Sequence, residues 1–148
     1  INKGGRLRGC IGTIRAHQPL IADVVENAYK AAMKDPRFPP LQDDETTDLD
    51  ISVSLLSPFQ EMSFTTEADF MRRLRPKVDG LIIADQGKRS VFLPQVWESI
   101  PDANEFVSRL KQKAGLPADH WSDSFRAWRF TAISLKATPK SAAAPKAQ

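Results

Sequence analysis

Residues 81–93 read Leu-Ile-Ile-Ala-Asp-Gln-Gly-Lys-Arg-Ser-Val-Phe-Leu. Two apolar runs, Leu81-Ile82-Ile83 and Ser90-Val91-Phe92-Leu93, flank Gln86-Gly87. That arrangement predicts a hairpin, because glycine accepts the positive φ that a tight turn demands. A hairpin is an antiparallel pair, so the sheet that grows from it is antiparallel.

Further strands are legible on either side. Leu49, Ile51, Val53 and Leu55 alternate with Asp50, Ser52 and Ser54, the signature of a half-buried strand. Asn2-Lys3-Gly4-Gly5 reads as a hairpin turn, and the alternation from Arg6 to Ile14 reads as the strand that follows it. Residues 125–135 form an aromatic-rich last strand of broken parity: Trp128 and Phe130 share one face, Ile133 and Leu135 the other. A β-bulge is the expected cause.

Between the strands lie helical patterns. After Pro19, apolar residues at Leu20, Ile21, Val24, Val25, Ala28 and Ala32 predict a helix ending near Asp35, because Pro36 disfavours a helical residue before it. Residues 35–47 are a proline-rich and then acidic connection. Thr66 is placed to cap a short helix containing Phe70, Met71 and Leu74. Asp102 and Glu105 have capping-box spacing ahead of Phe106, Val107, Leu110 and Ala114, and Gly115-Leu116-Pro117 stops that helix. Hairpins among scattered helices predict an α+β fold, a mainly antiparallel sheet with flanking helices.

Composition narrows the function classes. The 148 residues suit one domain, here residues 1–136, followed by an Ala/Pro/Lys stretch at 137–148 expected to be disordered. No apolar run approaches the roughly 20 residues that span a bilayer, so a membrane partner is not expected. One cysteine (Cys10) and two histidines (His17, His120) exclude a disulfide framework and a zinc finger. The net charge of +3 points weakly to nucleic acid: Lys140 and Lys146 contribute two of the three charges, leaving 19 basic against 18 acidic side chains in the body. Arg72, Arg73, Arg75 and Lys77 read as a solvated helix face with no interleaved aromatics. The acidic run Asp43, Asp44, Glu45, Asp48 and Asp50 lacks the register of a calcium loop. The chain starts at Ile1, and only that residue precedes the first turn, so a truncated N-terminus is expected.

The string Leu7-Arg8-Gly9-Cys10-Ile11-Gly12 resembles the signature of the AMMECR domain family, whose bacterial and archaeal members are called protein A of the AmmeMemoRadiSam system. Asp35-Pro36-Arg37-Phe38-Pro39-Pro40-Leu41, the segment from Leu49 to Pro58, Phe92-Leu93-Pro94-Gln95-Val96-Trp97 and Lys113-Ala114-Gly115-Leu116 match it in order, so the resemblance runs from about Gly4 to Leu135. It implies an α+β fold of two unequal subdomains, normally preceded by a helix and a strand that this chain lacks. It also implies a pathway shared with Memo-like and radical-SAM proteins. It transfers a fold and a candidate site, but no reaction and no cofactor.

Cys10 is the sharpest candidate for chemistry. Gly9 and Gly12 allow another backbone or a ligand to approach it closely, and Arg8, two residues away on the expected strand face, favours a thiolate. His17, at the end of the same segment, is the weaker candidate, a general base for that thiol. Arg37, presented between prolines, suits a carboxylate or phosphate, and Gln95 offers a neutral donor and acceptor. Metal ligation is not expected. The leading expectation is a cytoplasmic domain with a small-molecule or peptide groove lined by the LRGCIG strand. The alternatives are a non-catalytic protein-interaction module and a nucleic-acid-associated regulator.

Overall fold

A computed structural model describes residues 1–137; the expected tail lies outside the described residues except for Ala137, which ends the last strand. The architecture is α+β, with two four-stranded antiparallel sheets and helices between their strands. The chain divides into two compact units: residues 1–54 with the segment from 134 onward, and residues 55–133.

In the first unit, strands β1 (Asn2–Lys3) and β2 (Arg6–Leu7) pair antiparallel across Gly4 and Gly5, at φ 55° and 74°. Two successive left-handed residues make the turn that matches strand twist, which is why two glycines stand there. The expected turn is therefore real but sits at 4–5, and Asn2 and Lys3 belong to the strand. Helix α1 (Leu20–Met33) follows, then a 3₁₀ helix (Asp43–Asp48) built from the acidic run, and strand β3 (Leu49–Leu56). With β8 (Ala132–Ala137) they complete a sheet of order β2-β1-β3-β8.

The strand expected over 6–14 is the main correction. Only Arg6 and Leu7 are extended in the sheet. The amides of Arg8 and Gly9 both donate to the carbonyl of Ile1 (2.9 and 3.2 Å), and the amide of Cys10 donates to the Asp35 side chain at 2.9 Å. From that point the segment follows α1 rather than a strand: Thr13 Oγ1 donates to Asp23 and accepts from Asn27, each at 2.8 Å.

The second unit holds the larger core. Strands β4 (Gln60–Glu61), β5 (Gly80–Asp85), β6 (Lys88–Phe92) and β7 (Arg126–Phe130) form a sheet of order β4-β7-β5-β6. The β5–β6 hairpin turns on Gln86 and Gly87, both at positive φ, as the sequence predicts. Leu81 and Ile83 pack on Phe70 of helix α2 (Glu67–Arg73) and on Phe106, Val107 and Leu110 of helix α3 (Ala103–Lys113). Trp97 stacks on Phe106 with ring centroids 3.7 Å apart, and its Nε1–H donates to the carbonyl of Asp79. Both predicted caps form: Thr66 Oγ1 accepts from the amide of Asp69 and Asp102 Oδ1 from that of Glu105.

The broken parity of 125–135 is resolved without a bulge. β7 and β8 belong to different sheets and are separated at Thr131, whose amide and carbonyl are both taken by Ser57. Trp128 and Phe130 thus answer to one sheet, Ile133 and Leu135 to the other. Position in these sheets decides cost. Phe70→Ala, at a fully buried site, is expected to lower unfolding free energy by about 3–5 kcal/mol, whereas Ile133→Ala, 67% exposed, should change it by less than about 1 kcal/mol. Urea titrations of the two variants check the contrast.

Candidate functional site

The site is built in the first unit, where the chain after β2 crosses the C-terminal end of α1. Gly9 is buried there, its α-carbon against the carbonyl of Ala31 in the last turn of α1. A Cβ at Gly9 would overlap that carbonyl oxygen, so the position accepts only glycine without a backbone shift. Of the two approaches that Gly9 allows, the structure realises the backbone one, which leaves no room for a ligand at this residue. Gly12 differs: it is exposed, with nothing within 4 Å of the space a Cβ would occupy.

One residue further on, Cys10 has both backbone groups clamped. Asp35, beyond the end of α1, accepts from the Cys10 amide at 2.9 Å, and Arg37 Nη2 donates to the Cys10 carbonyl at 3.1 Å. Asp35 and Arg37 also grip each other, with Nε donating to Oδ1 at 2.9 Å and Nη2 to Oδ2 at 2.7 Å. Pro36, which ends the helix, lets the two neighbours fold back on each other in this way. The Asp35 side chain is 2% exposed and that of Arg37 53%, so the acid is structural and the guanidinium faces solvent. Hydrogen bonds from Arg37, then from the Cys10 amide, hold the Asp35 carboxyl far below the usual carboxylate range. Arg37 in turn is raised, first by Asp35 and in smaller part by the Cys10 side chain, which places the thiol within electrostatic reach of the guanidinium. The thiol itself is exposed.

Arg8, the expected cation, is engaged elsewhere. Its Nε and Nη2 make a bidentate pair with Glu45 (2.9 and 2.8 Å), and Lys3 stands 3.6 Å from the same carboxylate. Hydrogen bonds from Arg8, then from the amide of Gln42, depress Glu45 to about 2, and Lys3 adds the smallest share. The cation beside Cys10 is therefore Arg37, brought across 27 residues of sequence, and Arg8 is an anchor between β2 and the acidic 3₁₀ helix. The ring of Phe38 lies between both guanidiniums, 6.0 Å from that of Arg8 and 5.5 Å from that of Arg37. His17 is brought to Asp23 on α1, at 3.8 Å, so the structure gives the expected base a different neighbour. Gln95 belongs to the second unit, on a 3₁₀ helix over Pro94–Glu98.

The second unit holds a polar cluster that sequence reading missed. Asp85, at the β5–β6 turn, accepts from His120 Nε2, Ser122 Oγ and Ser124 Oγ, each at 2.6 Å, and from the amide of Gln86 at 2.9 Å. The residue types suggest a catalytic triad, but the hydroxyls donate to the carboxylate rather than to the histidine. Burial works to raise the Asp85 pKa, and the Ser122, Ser124 and His120 donors outweigh it, leaving the group at about 2. This is a clamp that ties residues 120–124 to the hairpin turn. Only the spacing His-x-Ser-x-Ser hinted at it, and nothing in the sequence pointed to Asp85 as the partner.

The family model described as AMMECR1 matches residues 1–135. This chain belongs to the AMMECR1 family. A relative from Methanothermobacter thermautotrophicus is 41% identical over 138 residues, spanning 89% of this chain and 70% of its own length. One from Thermotoga maritima is 38% identical over 133 residues, spanning 89% and 71%. The crystal structure of an uncharacterized protein from Pyrococcus horikoshii superposes with a TM-score of 0.82 at 32% identity, covering 91% of this chain and 70% of that one.

Two outcomes are expected. Gly9→Ala should lower stability by about 1–3 kcal/mol while Gly12→Ala leaves it nearly unchanged, as read by denaturant melts. Acid stability follows the depressed carboxylates: Glu45 and Asp85 contribute fully above the ordinary range of 3.8–4.5, and that contribution is lost as pH falls towards 2. Melting temperature should therefore be flat at higher pH and fall below about pH 4.5. Asp85→Asn should lower the plateau and flatten the fall.

Proposed function

We propose that this AMMECR1-family domain binds a small molecule or peptide bearing a carboxylate or phosphate at the surface formed by residues 10–12 and Arg37. Cys10 is the group that meets the ligand and Arg37 the cation that draws it in. One observation carries the reading: Cys10 is held by both backbone groups while its thiol is left exposed beside a half-exposed guanidinium. A clamp of that kind fixes a side chain in space without burying it, which is what a contacting or attacking group requires. Arg37 spends Nε and Nη2 on Asp35 and Cys10, and its solvent-facing side presents further N–H donors to an anion. The pathway partners implied by the resemblance, Memo-like and radical-SAM proteins, belong to the same proposal and rest on the resemblance alone.

Two thiol reagents of similar size and different charge test it. Iodoacetate and iodoacetamide are compared on the folded and the denatured chain. Folded Cys10 is expected to label with both reagents, and the ratio of iodoacetate to iodoacetamide rates should exceed the denatured ratio by about threefold or more. Arg37→Gln should abolish that preference, and Arg37→Lys, which keeps the charge, should retain most of it. Protection of Cys10 in the fold, or an unchanged ratio, overturns the reading.

A further inference from the structure

The two faces of the second sheet differ in chemistry. Leu81, Ile83 and Ala127 look towards the core that α2 and α3 complete, and the residues alternating with them look the other way. On that second face Ile82 is fully out of water and its cross-strand neighbour Trp128 is half-buried, so the apolar part is already covered within the chain. What the face presents outward is charge. Arg89 on β6 and Arg126 on β7 are both cross-strand neighbours of Ala84 on β5, so two arginines flank one small residue along a single row. Both guanidiniums lie over the Trp128 ring, at 5.7 and 5.0 Å from its centroid. Strand β7 itself, Arg126-Ala127-Trp128-Arg129-Phe130, interleaves cations with aromatics, which the basic run from Arg72 to Lys77 does not.

Like charges gathered on one aromatic ring repel unless something negative meets them. Arg126 has its counter-charge: Nε and Nη2 both donate to Glu61 Oε1, at 3.0 and 2.7 Å. Arg89 has none. Among the described residues it pairs with no acid and makes no hydrogen bond through its guanidinium, so the indole orders it while its donors stay open to solvent. The Glu61–Arg126 pair is itself 53% and 60% exposed, and a pair that open to water yields readily to a competing anion. Guanidinium edges match phosphate oxygens, and guanidinium and indole planes accept a stacked base. An acidic peptide would meet the charges and leave the planes unused. We propose that the Arg89–Trp128–Arg126 face binds single-stranded nucleic acid, with phosphates on the two guanidiniums and an unpaired base stacked on the layer they form with the indole. This surface lies in the second unit and owes nothing to Cys10 or Arg37.

Fluorescence anisotropy of a labelled oligothymidylate of about twelve residues, titrated with the intact chain, tests this. The expected dissociation constant is about 10 µM at about 50 mM salt, weakening about sevenfold at about 200 mM, as neutralisation of two phosphates requires. Arg89→Gln should weaken binding about fivefold to tenfold and cut the salt effect to about threefold. Arg89→Lys keeps the charge without the plane and should recover only part of that loss. Glu61→Gln frees Arg126 and should tighten binding. Arg72→Gln removes the same charge from α2, which packs on the opposite face of the sheet, and should change affinity by less than about twofold. The proposal is overturned by absence of binding at about 50 mM salt, or by an Arg89→Gln loss no larger than that of Arg72→Gln. Equal affinity for a duplex of the same length overturns it too, since paired bases cannot stack on the face. So does equal binding of a polyglutamate of matching charge, which would make the face a site for acidic peptides.

Discussion

The first unit turns on one buried carboxylate. Asp35 is out of water, and an ionised acid in that position is tolerable only if its oxygens are filled by donors. Four N–H groups fill them: the amides of Cys10 and Arg37, and Nε and Nη2 of Arg37. The place of the Cys10 backbone and the direction of the Arg37 fork are therefore a single fact, because each supplies what the acid lacks. Lysine at 37 would keep the charge but lose the planar fork that meets both oxygens while still reaching the Cys10 carbonyl. Gly9 completes the arrangement from the other side by letting the loop lie on the last turn of α1.

The second unit uses the same device twice. Asp79, with a fully buried side chain, is gripped by Arg75 through both oxygens, and its own carbonyl accepts from Trp97, so the entry to β5 is fixed to the core aromatics. Asp85, at the other end of β5, gathers residues 120–124. A strand as apolar as Leu81-Ile82-Ile83 can slide in register unless its ends are pinned, and the two acids at its ends supply the pins. That role accounts for the inventory of Asp, His and Ser without any call on hydrolytic chemistry.

What could be read from the sequence was what depends on neighbours along the chain. The Gln86-Gly87 turn, the Thr66 and Asp102 caps and α1 itself are local, and all appear where spacing and turn chemistry put them. The failures are tertiary. Arg6 to Ile14 alternates like a strand, but the amides of Arg8, Gly9 and Cys10 are taken by Ile1 and Asp35 rather than by a sheet neighbour, and alternation carries no information about that. Residues 125–135 showed a real break in parity, yet a bulge and a change of sheet look alike in one dimension. Within the candidate site, Cys10 and Arg37 were each singled out, while their connection through Asp35 was not. Sequence spacing puts Arg8 nearest Cys10, because two residues look closer than 27, whereas the guanidinium that reaches the Cys10 carbonyl is that of Arg37.

The LRGCIG string can now be divided by what each position does for the fold. Leu7 ends β2, Arg8 closes on Glu45, and Gly9 makes room for the α1 carbonyl. Cys10 contributes an amide and a carbonyl, which any residue other than proline would supply equally. The residue is exposed, and the bonds that hold the loop run through its backbone. Burial is the usual reason for a free cysteine, since the side chain behaves as a small hydrophobe, and that reason is absent here. Exposed thiols are also liable to oxidation, so the fold gains nothing from this one and carries its risk. The ligand contact proposed above would supply the reason that the fold does not, and the Arg37 guanidinium beside Cys10 would limit such a ligand to one that tolerates or prefers positive charge.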